Sequence, residues 1–322
     1  MPVRFLCCLA LSCLGLVNLA EADPYPSKPV RLVVAFPPGG IADVFGRLLA
    51  ERLAKQLGQP VVVENRPGAG GTIGTAAVAK AAADGYTLLM AVSAQMVLEP
   101  LLNPNVAYDP ERDFLGVAGI CRLPFLLVVP SNLGPTTVQE FVALVRSKSS
   151  TFTYGSGGVG SSTSTVMELF KQAAGIELAH VPYKGDGQAF ADLLGGHIQA
   201  QFVTYPVVAE MVKAGKVRAL MQTGDRRLRS AREVPTAAEA GYPAVTVYGW
   251  MGVFVPAGTP RTIVETLNAA IEKSVDEPDF HRRLDDAGSE LTLSSPEEFE
   301  AFVRSEKAKW RKRLTEFGLP GK

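Results

Sequence analysis

The chain has 322 residues, in which 32 lysines and arginines balance 32 aspartates and glutamates. A protein that binds nucleic acid through phosphate contacts needs a basic surface, so this balance argues against a nucleic-acid partner. The length exceeds the roughly 250–300 residues that one hydrophobic core usually serves, which favours two domains.

The first 22 residues have the pattern of a secretory signal peptide. Arg4 supplies a positive charge, an apolar run follows, and the small-residue pattern Ala20-Glu21-Ala22 precedes Asp23. A membrane-spanning helix needs about 20 consecutive apolar residues, and polar residues interrupt this run too early for that. We expect a periplasmic protein that is cleaved after Ala22, with lipidation of Cys13 as an alternative.

Cysteine and histidine usage argues against disulfides and against a metal site. Cleavage of the leader would leave Cys121 as the only cysteine, so the mature chain could form no intramolecular disulfide. His180, His197 and His281 stand far apart, and no second ligand at metal-binding spacing accompanies them. We predict neither a metal nor a cofactor, and we expect these histidines at the surface or packed against strands.

Apolar runs that alternate with helical periodicity predict an α/β fold. Residues 30–36, 61–63 and 87–92 are short and apolar, which is typical of buried strands. Apolar residues recur at helical spacing over residues 41–57, and Gly58 predicts the end of that helix. Strands that are apolar on both faces indicate parallel sheets with helices on both sides.

A second series of elements follows, and the chain then returns to an extended segment. Predicted strands cover residues 125–130, 151–154, 178–181, 198–204 and 217–221, and a further one covers residues 248–255. Thr259-Pro260 predicts the start of an all-helical end. Its last helix opens at a capping box formed by Ser295 and Glu298, and it carries Phe299, Phe302, Val303, Trp310, Leu314 and Phe317 for packing in the core.

Two stretches of strand-like sequence connect the two series, near residues 122–124 and near residues 245–248. Paired crossings of this kind make a hinge. We predict that residues 23–122 and 246–322 form one discontinuous lobe and that residues 123–245 form the other. Arg122 at the hinge either meets an anion or forms a salt bridge, and the arginines at residues 226–232 are expected to be solvated or ion-paired.

Turns rich in glycine or serine follow most of the predicted strands. They comprise residues 36–40, 66–71, 93–95, 154–162 and 183–187. Glycine lets another group approach the backbone closely, and the free N–H groups of a helix N-terminus favour negative charge. In an open α/β sheet such turns gather at the carboxyl ends of the strands, where ligands bind. Two facing edges would make an anion-binding cleft, although any single turn is explained by chain reversal.

Two enzymatic interpretations of the turn at residues 154–162 are the alternatives to a binding protein. Gly155, Gly157 and Gly160 match the dinucleotide fingerprint G-x-G-x-x-G, which would suit a dinucleotide-dependent oxidoreductase. That site needs an acid at the end of the next strand, whereas Glu177 lies at its beginning. A secreted hydrolase with a nucleophile elbow needs G-x-S-x-G, and Tyr154 stands in place of its first glycine.

Six motifs resemble those of the Bug-type receptors of tripartite tricarboxylate transporters. They are YPSKPVR at 25–31, FPPGG with Asp43 at 36–43, VENRPGAGG at 63–71, DGYTL at 84–88, VPYKG at 181–185 and VPAGTP at 255–260. The resemblance extends over the whole mature chain. It implies a two-lobed α/β periplasmic-binding-protein (Venus flytrap) fold of type II-like arrangement, with two open mixed or parallel sheets. It also implies a monomeric, non-catalytic receptor that passes a carboxylate, amino acid or aromatic acid to integral-membrane transporter subunits.

The resemblance further implies which residues hold the ligand, mainly through loop backbone groups and ordered water. They are Pro38, Gly39, Gly40, Ile41, Ala42, Gly70, Gly71, Thr72, Ser93, Ala94, Ser156, Gly157, Gly160, Ser161, Ser162, Lys184, Gly185, Asp186 and Gly187, with Trp250 near the hinge.

Three positions depart from the family pattern. Ala42 stands where a hydroxyl residue is common, Ser164 where histidine is frequent, and Val203 where an acid is frequent. A carboxylate at position 203 would be a natural partner for an ammonium group. Its loss therefore predicts a ligand with carboxylates and no free amine, such as a di- or tricarboxylate or an aromatic acid.

Overall fold

The computed structural model describes residues 25–147 and 152–316. The predicted signal peptide at residues 1–22 lies outside these ranges, as do Cys13, Thr151 and Phe317. Within the described part of the chain, no helix combines the length and apolar character that spanning a bilayer requires.

The strands of the described residues form two sheets. In chain order they are β1 (Val30–Val34), β2 (Val61–Asn65), β3 (Thr87–Val92), β4 (Phe114–Leu123), β5 (Phe125–Pro130), β6 (Thr153–Ser156), β7 (Ala179–Pro182), β8 (Ala200–Thr204), β9 (Val217–Gln222), β10 (Gly249–Pro256) and β11 (Glu290–Leu291). The sequence predictions omitted β4 and β11. Gly116 and Gly119 weaken the strand signal of β4, and β11 is too short to give one.

Both sheets are mixed. The first has the strand order β11-β4-β10-β3-β1-β2, with β1 parallel to β2 and β3 and with β10 antiparallel to β3 and β4. The second has the order β7-β6-β8-β5-β9, with β6 parallel to β7 and β8 and with β5 antiparallel to β8 and β9. This architecture confirms the predicted fold class.

Helices cover the sheets and connect their strands. They are α1 (Ile41–Leu57), α2 (Thr72–Ala79), α3 (Glu99–Leu102), α4 (Pro110–Asp113), α5 (Val138–Ser147), α6 (Ser162–Ala174), α7 (Asp186–Leu194), α8 (Tyr205–Lys213), α9 (Arg261–Val275), α10 (Pro278–Asp286) and α11 (Pro296–Glu316). A π-helical segment, Ala94–Leu98, leads into α3. The prediction of an all-helical end was wrong at β11, which pairs with β4 and gives the first sheet its edge strand.

The predicted helix boundaries agree with the structure to within one residue. Gly58 ends α1 with φ of 64°, a left-handed conformation that glycine adopts without steric cost. The capping box of α11 is present, because the Ser295 amide donates to Glu298 Oε2 at 2.9 Å and the Glu298 amide donates to Ser295 Oγ at 3.2 Å. α9 begins at Arg261, one residue after the predicted start, since Pro260 has ψ of 137° and acts as the N-cap.

The chain passes between the sheets at the two predicted crossings. Pro124 separates β4 from β5, and residues 245–248 lead from the second sheet back into β10. Thr223 joins the crossings, because its Oγ1 accepts from the Phe125 amide at 2.9 Å and donates to the Val247 carbonyl at 2.7 Å. The residue boundaries of the two lobes stay a prediction.

Ion pairs surround these crossings. Glu290 accepts from Arg122 Nη2 at 2.7 Å and from Arg226 Nε at 2.7 Å, so one carboxylate ties β4 to the loop after β9. Arg122 also lies over the Tyr248 ring, 4.2 Å from its centroid. Arg227 pairs with a glutamate as well, at 2.8 Å. Arg122 therefore forms the salt bridge that was one of its two predicted roles, and Arg226 and Arg227 are ion-paired as predicted.

Helix α11 packs on the first sheet through an aromatic side chain. Phe299 is 2% exposed and lies against Gly116, Gly119 and Gly252 of β4 and β10. A methyl group at Gly252 would collide with the Phe299 ring, so these glycines leave the space that the ring fills. The predicted core roles of Phe299, Val303, Trp310 and Leu314 are confirmed. Phe302 packs against the Trp250 ring, with centroids 5.6 Å apart, but it is 39% exposed and lies at the edge of the core.

Candidate functional site

A cleft of about 2020 Å³ lies between loops of the two sheets. The turns after β1, β2 and β3 line one side, and the turns after β6 and β7 line the other. Enclosed sites for small molecules usually measure about 300–1,000 Å³, so this cleft is larger than a small ligand needs and is open. All five turns singled out in the sequence meet there.

Most of the residues predicted to hold a ligand line this cleft. They are Pro38, Gly39, Gly40, Ile41, Ala42, Gly70, Gly71, Ser93, Ala94, Gly157, Gly160, Ser161, Ser162, Lys184, Gly185, Asp186, Gly187 and Trp250. Thr72 and Ser156 are not among the lining residues. Ligand contact by the lining residues stays a prediction.

The turn between β1 and α1 is fixed by a buried aspartate. Asp43 is 3% exposed, and its carboxylate accepts from the Gly39 amide at 2.9 Å and from Asn65 Nδ2 at 2.8 Å. Burial raises the pKa of Asp43, but the hydrogen bond from Gly39 and those from neighbouring side chains outweigh burial and hold the pKa below its usual value. The amides of Ile41 and Ala42 have no backbone acceptor among the described residues and are left at the cleft.

The turn between β2 and α2 depends on glycine conformation. Gly70 has φ of 64° and Gly71 has φ of 95°, which other residues adopt only with strain. Thr72 follows them, but its hydroxyl donates to the Ala69 carbonyl at 2.8 Å and supports the turn. Thr72 does not line the cleft, because its side chain is engaged in the first turn of α2, and its ligand contact stays a prediction.

Two serines bring the sides of the cleft into contact. Ser93 Oγ, after β3, lies 3.2 Å from Ser162 Oγ at the start of α6. Ser161 is the N-cap of α6 and accepts from the Ser164 amide at 3.2 Å. The amides of Ser162 and Thr163 have no backbone acceptor within the described ranges, so the second sheet also presents free donors to the cleft.

Ser156 is withdrawn from the cleft. Its side chain is fully buried, and Oγ lies 2.7 Å from His180 Nε2 and 3.1 Å from the Gly158 carbonyl. The His180 ring stacks on Tyr154 with centroids 4.6 Å apart, and burial lowers the pKa of His180. Ser156 therefore supports the loop from inside the protein and does not line the cleft, and its ligand contact stays a prediction. Its burial also argues against a role as a hydrolase nucleophile.

Asp186 braces the two loops of the second sheet. Its carboxylate accepts from Thr163 Oγ1 at 2.8 Å, and its carbonyl accepts from Gln201 Nε2 at 3.0 Å. Burial raises the pKa of Asp186 to about 6, although hydrogen bonds from Thr163 and Gly157 oppose the change. This carboxyl occupies part of the donor-rich end of α6, so an anion and Asp186 would compete there.

We expect Asp186→Asn to stabilise the protein at neutral pH. The folded-state pKa lies above the ordinary value of 3.8, so the stabilising contribution of Asp186 is complete below pH 3.8 and is lost as the pH rises through about 6. Two pKa units equal about 2.7 kcal/mol, and partial solvent screening reduces this to about 1–2 kcal/mol. Urea unfolding near pH 7.5 should show this gain, and an equal gain near pH 3.5 would contradict it.

The glycines of the fingerprint-like turn make room for protein side chains. A methyl group at Gly155 would collide with Ile198, and one at Gly157 would lie 3.0 Å from Asp186 Oδ1. A methyl group at Gly160 would collide with the Glu99 carboxyl. Each close approach is made by this chain, so the glycine spacing needs no pyrophosphate to account for it, which argues against the dinucleotide alternative.

Sequence reasoning missed several side chains that line the cleft. They include Glu99, Leu123, Phe125, Glu168, His180, Thr204 and Arg283. Glu99 could have been noticed in the sequence, because it is an isolated acid inside the apolar stretch at residues 96–102. The others lie on strands and helices, and their approach to the cleft depends on tertiary packing.

The structure removes the basis for predicting a ligand without an amine. Val203 is fully buried, packs in the core of the second sheet and does not line the cleft. Its lack of charge therefore carries no information about the ligand. Trp250 lines the cleft as predicted, but it is only 2% exposed, and its Nε1 has no hydrogen-bond partner among the described residues.

A family model described as "Tripartite tricarboxylate transporter family receptor" matches residues 45–319. The chain belongs to this receptor family. Protein BugT of Bordetella pertussis (strain Tohama I) is 35% identical over 305 residues, which cover 94% of each chain.

Solved structures agree with this assignment. Rpa4515 of R. palustris with adipate has 34% identity and a TM-score of 0.87, covering 92% of this chain and 99% of that one. MatC from Rhodopseudomonas palustris with bound malate has 33% identity and a TM-score of 0.85, covering 90% and 100%.

Membership of the tripartite tricarboxylate transporter receptors confirms the resemblance found in the sequence. Proteins of this family are periplasmic solute-binding receptors and not enzymes, so the prediction of a non-catalytic protein is confirmed. Receptors of the family bind small carboxylates and work with membrane transporter components.

Proposed function

We propose that this receptor captures a small carboxylate in its cleft and delivers it to a membrane transporter. The observation that carries the proposal is the convergence of the N-termini of α1 and α6 on one cleft. The amides of Ile41 and Ala42 on one side, and of Ser162 and Thr163 on the other, lack backbone acceptors among the described residues. Each helix end acts as about half a positive charge, so a carboxylate is the complementary ligand.

The ligand class follows from this chemistry and from the two relatives. Rpa4515 is known with adipate and MatC with malate, and both are dicarboxylates. A molecule with two negatively charged ends satisfies donors on both sides of the cleft at once. We assign the contacts to the cleft-lining members of the residue set predicted from the sequence, and we extend the ligand class to tricarboxylates, aromatic acids and amino acids.

The capture mechanism needs no covalent step. A carboxylate that touches only one lobe gains the same free energy in the open and closed states, and it therefore leaves their ratio unchanged. A ligand that bridges both helix ends gains more in the closed state, and this difference draws the lobes together about the crossings at residues 122–124 and 245–248. The closed receptor then docks on its transporter.

The proposal includes the route to the periplasm. We propose that the leader is cleaved after Ala22, that residues 23–122 and 246–322 form one lobe and residues 123–245 the other, and that the receptor is a monomer. The intact mass of protein secreted into the periplasm should correspond to a chain that begins at Asp23. A mass that includes the leader, or one with a lipid on Cys13, would contradict this.

Calorimetry combined with X-ray scattering tests the function. We expect adipate or malate to bind with one site per chain and to reduce the radius of gyration, because the bridging ligand favours the closed state. Putrescine, a dication of similar length, is the matched control and should do neither. Absence of binding by all dicarboxylates, aromatic acids and amino acids tested, or binding without any change in scattering, would contradict the proposal.

A further inference from the structure

The cleft contains a buried acid that an anion-binding site does not explain. Glu99 is the first residue of α3, lines the cleft and is 5% exposed. Its carboxyl lies between the glycine turns of both sheets, because a methyl group at Gly70 would lie 2.8 Å from Oε1 and one at Gly160 would collide with it. The two turns are thus shaped around this carboxyl.

Among the residues that the structure describes, no cation pairs with Glu99. Within residues 25–147 and 152–316, none of the ion pairs includes it. Burial raises its pKa, and a hydrogen bond from the Asn103 side chain offsets part of that rise. By contrast Glu168, the other glutamate that lines the cleft, is paired with Lys171 at 2.9 Å. A carboxylate that is buried without a charged partner is costly, and a donor supplied by a ligand would remove that cost.

We infer that Glu99 determines specificity in the cleft by selecting carboxylates that also carry a hydrogen-bond donor, either an ammonium or a hydroxyl group. The inference rests on the proposed function, since it describes a second contact to the same carboxylate ligand. The helix ends hold the carboxylates, and Glu99 accepts from the donor. A plain dicarboxylate supplies no donor to Glu99, leaves it without a charged partner and brings a like charge towards it.

Chain-matched ligands test this directly. Succinate, malate and aspartate share one skeleton and differ by hydrogen, hydroxyl or ammonium at one carbon; glutarate and adipate with their 2-hydroxy and 2-amino derivatives extend the series. For the wild-type protein we expect a donor-bearing member to bind at least about tenfold tighter than its parent acid, or about 1.4 kcal/mol. Equal or weaker binding of the donor-bearing members would overturn the inference.

Two variants of Glu99 show whether the preferred donor group on the ligand is a hydroxyl or an ammonium. Glu99→Leu removes the acceptor, and we expect it to abolish the preference while leaving the parent acid bound as tightly as before or more tightly. Glu99→Gln keeps an acceptor oxygen but no charge, so a hydroxyl preference should survive and an ammonium preference should fall at least about tenfold. Glu306→Leu is the control, because Glu306 is largely buried and paired with Lys309 outside the cleft.

The outcomes separate this inference from the proposed function. If parent acids bind and a donor preference persists unchanged in Glu99→Leu, the receptor function stands and the role of Glu99 is overturned. If no carboxylate binds the wild-type protein, the proposed function fails and the inference fails with it. Circular dichroism confirms that each variant is folded. A wild-type ligand series without any donor preference overturns the inference even before a variant is tested.

Discussion

Replacing Gly39 with valine should lower the affinity for adipate or malate at least about tenfold while the protein stays folded. Gly39 has φ of 85°, and a β-branched residue in the left-handed region costs about 1–2 kcal/mol or more. No atom lies within 4 Å of the position of its Cβ, so the expected effect is backbone strain and not a collision. The turn would relax, and the amides of Ile41 and Ala42 would leave the positions that face the cleft.

Gly241→Val is the matched control for this prediction. Gly241 has φ of 87°, has no atom within 4 Å of its Cβ position and does not line the cleft. Both variants should lose similar stability, but only Gly39→Val should lose affinity in calorimetry. Equal affinities in the two variants would mean that the turn between β1 and α1 does not hold the ligand.

Phe299→Ala should lower the free energy of unfolding by about 3–5 kcal/mol, the usual cost of removing a buried phenylalanine. The ring is 2% exposed and fills a groove made by glycines of β4 and β10, so the backbone on that side cannot supply atoms to close the cavity. Urea unfolding followed by circular dichroism measures the change. Because β1 and β3 belong to the same sheet as β4 and β10, we expect the loss of the Phe299 ring to destabilise the turns that follow β1 and β3 and line the cleft.

The neighbouring aromatic residue on the same helix supplies the comparison. Phe302 is 39% exposed, so Phe302→Ala removes less buried surface and should cost below about 1.5 kcal/mol. A similar cost for the two substitutions would show that the glycine groove does not hold the Phe299 ring tightly.

Local patterns predicted much of this protein. Strand runs such as Val30–Val34 and Thr87–Val92 are mostly apolar, with Arg31 and Thr87 as the exceptions. The end of α1 at Gly58 needs only the left-handed preference of glycine. The turns after these strands were predicted to form an anion-binding site, because the first backbone N–H groups of a helix lack intrahelical acceptors in any fold. The family motifs occur in the same segments, so the receptor class could be predicted as well.

The sequence predictions failed where the direction of a side chain depends on which distant residues it contacts in the folded chain. Thr72 and Ser156 lie in the predicted turns, but their hydroxyls form hydrogen bonds within the protein, and neither residue lines the cleft. Phe302 continues the apolar spacing of α11, yet its ring packs only at the edge of the core, against Trp250, and stays 39% exposed. Val203 carries no information about the ligand, because its side chain packs in the core of the second sheet.

The sequence by itself determined most of the strands and helices, the turns and the family, since periodicity, glycine conformation and capping act over a few residues. It did not show β4 and β11. Tertiary structure alone decided what faces the cleft. Glu99 is distant in sequence from Gly160, and only the packing of the two sheets places its carboxyl against that glycine. The direction of a side chain depends on contacts between distant segments, and for that reason the acid in the cleft became visible only in the folded chain.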